Sequence, residues 1–129
     1  GLRHLPNVVM VGAQPYEALP GWAKAFDVAV IPYRLNRQVQ NANPLKLREY
    51  LATGKPVVTV RTPEVDRFGE VVRIADGREE FLDAIEDALR ETDPFAPSRR
   101  MAAVQSMSWE QRVKETLVVV RSAIEMKAP

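Results

Sequence analysis

Short runs rich in valine and isoleucine recur along the chain, each followed by a polar or helix-patterned stretch. They are Val8–Val11, Val28–Ile31, Val57–Val60 and Val71–Ala75. Such runs lack the apolar–polar alternation of a strand with one wet face, so they suit strands buried on both sides, as in parallel sheets. Alternation with helical segments predicts an α/β fold: a three-layer, Rossmann-like parallel sheet of about four strands flanked by helices. At 129 residues the chain is one domain's worth.

Local signals place the elements. Gly12 closes the first run and Pro32 stops the second. Gly21–Phe26 reads as a short helix and Tyr33–Ala42 as a polar loop. Asn43 is a good N-cap, and Pro44 suits the first helical position because it has no N–H to leave unpaired. Leu45, Leu47, Tyr50 and Leu51 are the apolar content of that helix, and Gly54 sits where a C-terminal glycine belongs. Asp76–Glu79 and Ser108–Gln111 have capping-box spacing. Phe81, Ile85, Ala88 and Leu89 share one face of a helix. A proline-rich break over Asp93–Pro97 precedes a short basic helix near Arg99–Val104. The last helix, about 109–126, carries a stripe of Val113, Leu117, Val120 and Ile124. The expected core is Val9, Val11, Val28, Val30, Leu47, Leu51, Val57, Val58, Ile85 and Leu89.

Composition removes several functions. There is no cysteine, so disulfides, thiolate catalysis and cysteine-held metals are excluded. One histidine, His4, cannot form a histidine cluster, and nothing visible requires a metal. Lysine and arginine total 18 against 17 acids, a balance that argues against a nucleic-acid surface. No apolar run approaches the ~20 residues of a membrane helix.

In open parallel sheets, ligands gather beyond the carboxyl ends of the strands. Three loops qualify: Ala13–Pro20, Tyr33–Asn43 and Arg61–Gly69. The middle one feeds a helix N-terminus, whose free N–H groups and dipole favour an anion such as a phosphate. A plain surface loop fits the same residues. Glu49, in the second turn of that helix, can accept two hydrogen bonds from vicinal sugar hydroxyls. It can equally pair with Lys46 or a nearby arginine. Lys46 and Arg48 suit a phosphate or simple solvation. Tyr16 and Tyr33 can stack on a base or pack, and Trp22 and Trp109 read as core or interface.

The segment Asn43-Pro44-Leu45-Lys46-Leu47-Arg48-Glu49-Tyr50-Leu51-Ala52-Thr53-Gly54-Lys55-Pro56-Val57-Val58 resembles the C-terminal, nucleotide-sugar-binding half of GT-B-fold glycosyltransferases, the retaining, family-4-like group 1 type. The similarity extends upstream through Asn7–Gly12, Pro15–Pro20, Phe26–Val28 and Ile31–Tyr33. Downstream it takes in Phe81–Leu89 and Ser108–Glu110. The resemblance implies that Glu49 binds the donor's ribose hydroxyls and that Pro44, Leu45 and Lys46 form the helix start facing its diphosphate, next to Asn43. It implies that Gln14, Pro15 and Tyr16 border the base. Many relatives carry a glutamate where this chain has Asn41, at the donor sugar.

The resemblance further implies a single partial C-terminal donor-binding domain over residues 1–129, lacking two strand–helix units with their diphosphate-clamping arginine and lysine, and lacking the N-terminal acceptor domain. In the family's strand order, Val8–Val11 would stand third and Asp27–Ile31 fourth, with two absent strands between them. The expected function is donor binding for a cytoplasmic or membrane-peripheral glycosyltransferase of polysaccharide or glycoconjugate synthesis. No cofactor is implied, the substrate being a nucleotide-diphosphate sugar, and no catalytic residue is assigned. The chain alone is expected to be inactive and prone to self-association. A non-catalytic flavodoxin-like binding or regulatory module and a sugar-nucleotide epimerase fragment are the alternatives.

Overall fold

A computed structural model describes residues 1–126. Seven α-helices and three strands follow in the order α1 (Leu19–Ala25), β1 (Ala29–Ile31), α2 (Arg37–Gln40), α3 (Leu45–Ala52), β2 (Val57–Val60), α4 (Pro63–Asp66), β3 (Arg73–Ala75), α5 (Arg78–Leu89), α6 (Ala96–Gln105) and α7 (Trp109–Glu125). The sheet order is β1-β2-β3, and both pairings are parallel. Ala29 faces Val57 across the first pair, and Val58 faces Arg73 across the second.

Strand periodicity then sorts the side chains. Ala29, Ile31, Val57 and Thr59 share one face. Ala29, Ile31 and Val57 join Leu47 and Leu51 of α3, Val65 of α4, Phe68 and Val72 in a single buried cluster. The opposite face carries Val30, Val58 and Ala75, and α5 packs across β2 and β3. Val58 and Ala75 are buried there, but Val30, beyond the reach of α5, is 41% exposed.

The sheet has three strands, one fewer than expected. Val8–Val11 forms no strand and has no ladder partner, and Val9 is 83% exposed. A strand requires a neighbour for its N–H and C=O groups, and this run does not pair with β1. Val9, Val11, Val30 and Leu89 therefore leave the expected core. Val28 and Ile85 are half-buried, whereas Leu47, Leu51, Val57 and Val58 are fully buried. α7 has no buried residue, so its stripe of Val113, Leu117, Val120 and Ile124 stands exposed. No helix among the described residues is long and apolar enough to cross a membrane.

Capping follows the sequence in part. Ser108 accepts from the Gln111 N–H as expected, but the Gln111 side chain bonds Glu115 instead of reaching back. At α5 the N-cap is Gly77, and Glu80, one residue later than the box requires, takes the Asp76 N–H at 2.7 Å. Asp76 itself is bound to Arg61.

Gly54 behaves as predicted. Its φ is +76°, and its N–H donates to the Leu51 carbonyl at the end of α3. Its own carbonyl accepts from Arg100 of α6 at 3.0 Å. Arg100 is 5% exposed and also pairs with Glu91, which is shared with Arg73 at 3.4 Å. A Cβ at residue 54 would lie 3.1 Å from the Pro97 Cβ. Gly54→Ala is therefore expected to destabilise the fold by about 1–2 kcal/mol from the left-handed backbone alone, with a further cost for displacing Pro97. Urea denaturation should show a lower midpoint with an unchanged slope.

Candidate functional site

α3 carries the site, and its N-terminus departs from the expected cap. Pro44 is extended (φ −72°, ψ 110°) and occupies the N-cap position itself, so the helix begins at Leu45. No side chain caps the first turn. Asn43, the expected cap, instead accepts a hydrogen bond from Arg48. Its carboxamide can serve only where the backbone brings it over the helix end, and the extended Pro44 holds it one residue further out.

Arg48 is wholly engaged. It bonds Glu64 of α4 and Asn43, approaches the Pro44 carbonyl at 3.5 Å, and lies 5.5 Å over the Phe68 ring. Of the two cations on this helix, Arg48 is structural. Lys46 is exposed and has no ion pair among the described residues. Glu49, one turn along, likewise accepts no hydrogen bond and joins no ion pair among the described residues. Pairing with Lys46 or a nearby arginine is thus not how this carboxylate is used.

Lys46, Glu49, Tyr50 and Thr53 recur at i, i+3, i+4 and i+7, forming one strip of α3. That strip lines a cavity of about 440 Å³ facing α1. Tyr16, Trp22 and Phe26 line it from the other side. The Phe26 and Tyr50 rings meet edge to face at 6.1 Å and 79°. The fold thus brings together an anion-accepting lysine, a free carboxylate and four aromatic rings.

Of the residues singled out in the sequence, Tyr16, Lys46 and Glu49 meet in this cavity; Asn41, Asn43, Pro44, Leu45, Gln14 and Pro15 do not line it. Asn41 ends α2, and its amide donates to the Arg37 carbonyl at 2.7 Å. Leu45 is 63% exposed. Gln14 is bonded to Val11 and Trp22. The stretch read as a polar loop contains α2, whose N–H at Val39 donates to Asn36 at 2.8 Å. Trp22, read as core or interface, is a cavity wall. The signal that could have found it is the aromatic series Tyr16, Trp22 and Phe26 in the loop-to-helix segment before β1.

The third candidate loop is closed by its own charges. Arg61 bonds Asp76 at 2.7 and 3.0 Å and Asp66 at 2.7 Å, joining the carboxyl ends of β2 and β3. Hydrogen bonds to those acids hold its guanidinium above an arginine's usual pKa. A second cavity beyond these ends is lined by Tyr33, Asp76 and Phe81, with no free acid–cation pairing comparable to the α3 strip.

Comparison with known proteins places the chain. Residues 1–91 match the family described as glycosyl transferases group 1. The chain belongs to that family, a glycosyltransferase class consistent with its Rossmann-like parallel sheet. Over 67 residues it is 36% identical to "Putative teichuronic acid biosynthesis glycosyltransferase TuaH" of Bacillus subtilis (strain 168). The match covers 52% of this chain and 17% of that relative's length. No solved structure matches the chain.

Electrostatics at the α3 start give a pH dependence. Burial opposes the Glu64 charge, but the hydrogen bonds from Arg48 and Arg67 outweigh it and hold the carboxyl below its usual 4.5. The unfolded chain therefore takes up this proton first as pH falls. The stabilisation is full above about pH 4.5 and is lost as pH falls through the folded-state value. Urea midpoints should fall on acidification below about pH 4.5, and Glu64→Gln should flatten that part of the profile while lowering stability at pH 7.

Proposed function

We propose that this chain is the donor-binding, C-terminal portion of a retaining GT-B glycosyltransferase, acting on a nucleotide-diphosphate sugar in polysaccharide or glycoconjugate synthesis. The observation that carries this reading is the unpaired Glu49 carboxylate, set beside Lys46 in an aromatic-lined cavity. Glu49 accepts the two ribose hydroxyls of the donor, and the Tyr16 ring lies against the base. Lys46 and the uncapped N–H groups of the first turn of α3 take the diphosphate, where helix dipole and free donors favour negative charge. The Asn41 Oδ1 is left to accept from a sugar hydroxyl, without the charge a carboxylate would bring.

In the whole enzyme the leaving diphosphate gathers charge as the glycosidic bond breaks, and positive groups beside it lower that barrier. Here the protein's contribution is Lys46 and the backbone amides, since Arg48 is committed to Glu64. The chain by itself is expected to bind donor without transferring sugar. Family membership supports a transferase over a flavodoxin-like module. The printed name of the teichuronic acid relative supports the polysaccharide context.

Amide-shift titration of the chain with uridine or guanosine diphosphate tests this. Shifts should centre on Asn43–Glu49 and Tyr16, with dissociation constants of roughly millimolar or weaker. Losing a charge-assisted pair of bonds costs about 1.5–3 kcal/mol, so Glu49→Ala should weaken binding by roughly tenfold or more. Unchanged affinity in that variant would remove Glu49 from the site.

A further inference from the structure

The amino ends of β2 and β3 border a cavity of about 640 Å³ that shares no lining residue with the α3 strip. Val57 and Arg73, the first residues of those strands, line it, as do Ala96 and Arg100 of α6. Glu91, just past the end of α5, pairs with both Arg73 and Arg100. One carboxylate therefore serves two guanidiniums, and this trio carries an excess of positive charge. Arg100 is only 5% exposed. Its Nη1 donates to the Gly54 carbonyl at 3.0 Å and its Nη2 to Glu91. Its Nε is buried with no hydrogen-bond partner among the described residues, and the same holds for the Arg73 Nε. Buried N–H donors are nearly always satisfied, because a missing partner leaves their desolvation uncompensated. Two such donors, on two cations that share one carboxylate, form an arrangement that an oxyanion completes.

The surroundings favour the same occupant. α6 begins at this cavity and no side chain caps it, so its N-terminal dipole adds to the positive side. Asp93 is committed: it accepts from the Phe95 N–H at 2.9 Å and pairs with Arg99 at 2.6 Å. Around the whole lining four arginines meet four acids, so overall charge draws nothing in. The local excess at Arg73, Arg100 and Glu91 sets this wall apart. Glu70, exposed and lining the same cavity, joins no ion pair among the described residues and opposes an anion there.

We infer that this cavity is a second ligand site, which takes a small oxyanion, a phosphate or carboxylate group, on the Nε–H donors of Arg73 and Arg100. The site is independent of the donor reading of α3. Arg73 gives the ligand its approach. Its side chain is 35% exposed against 6% for Arg100, and its contact with Glu91 is long at 3.4 Å. The ligand draws the Arg73 guanidinium off Glu91, which keeps Arg100 as its partner.

Arginine Nε–H signals in nitrogen–proton correlation spectra read these two donors directly. The chain is titrated with inorganic phosphate, and separately with acetate, against chloride at constant ionic strength. Both Nε–H signals should move saturably, together with the backbone amides of Glu91, Thr92 and Ala96, with a dissociation constant of roughly 1–30 mM for the tighter anion. Whichever anion binds more tightly names the group, and either result supports the site. Arg73→Gln leaves Glu91 and Arg100 matched one to one, so it should weaken binding by roughly tenfold or more, read at the Arg100 Nε–H. Glu70→Gln removes the opposing charge and should tighten binding by about two- to fivefold. Far-ultraviolet circular dichroism should be unchanged in both variants. Shifts that fail to saturate by about 100 mM of either anion, or that never appear, would overturn the inference and leave the two donors to water. Saturable shifts confined to Asn43–Glu49 would overturn it by sending the anion to the start of α3. An affinity unaltered by Arg73→Gln would overturn it as well.

Discussion

Helix α3 is fastened at both ends by arginines, and the rest of the site depends on that. At its start Arg48 reaches Glu64 of α4 and Asn43 while lying over Phe68. Past its end Arg100 of α6 holds the Gly54 carbonyl and pairs with Glu91. Between them Leu47 and Leu51 are fully buried against the sheet. Buried ion pairs often add little net stability, because desolvation offsets their attraction. Their geometry is nonetheless strict, and here it fixes the rotation of a two-turn helix. Residues at the Leu47 and Leu51 positions face inward, so the Lys46–Glu49–Tyr50–Thr53 strip is turned toward α1.

This arrangement separates charges that hold the fold from charges left for a ligand. Arg48, Arg61, Arg99 and Arg100 each find a carboxylate within the chain. Lys46 and Glu49, adjacent on the exposed strip, do not. A carboxylate one turn from a lysine on the same helix would ordinarily pair at little cost. Both side chains border a cavity instead, where a ligand with hydroxyl donors and a phosphate can use them separately.

The sheet has open margins. β1 has a neighbour only on the β2 side, and Val30 lacks the helical cover that Val58 and Ala75 receive from α5. Val8–Val11 has strand composition without strand pairing, and α7 presents valine, leucine and isoleucine to solvent. Exposed apolar stripes and open strand edges are features that folded proteins usually cover. The matched relative is far longer than this chain, which spans 17% of it over the aligned region.

The sequence by itself determined the α/β class, the identity of the parallel strands at Val28–Ile31, Val57–Val60 and Val71–Ala75, the glycine at the end of α3, and Glu49 as a residue of interest. These follow from local chemistry: unbroken β-branched runs, a residue that tolerates positive φ, and helical spacing. Only the tertiary structure decided which charges were free. Arg48 and Lys46 look alike in sequence, but Glu64, sixteen residues past Arg48, claims one and not the other. Nothing local ties Gln14 to Trp22, eight residues on, yet the indole N–H donates to its side-chain carbonyl oxygen. Val8–Val11 had every local mark of a strand except the one thing composition cannot supply, a second backbone to pair with. Hydrogen bonding and ion pairing are satisfied between partners, and partners are chosen by the fold.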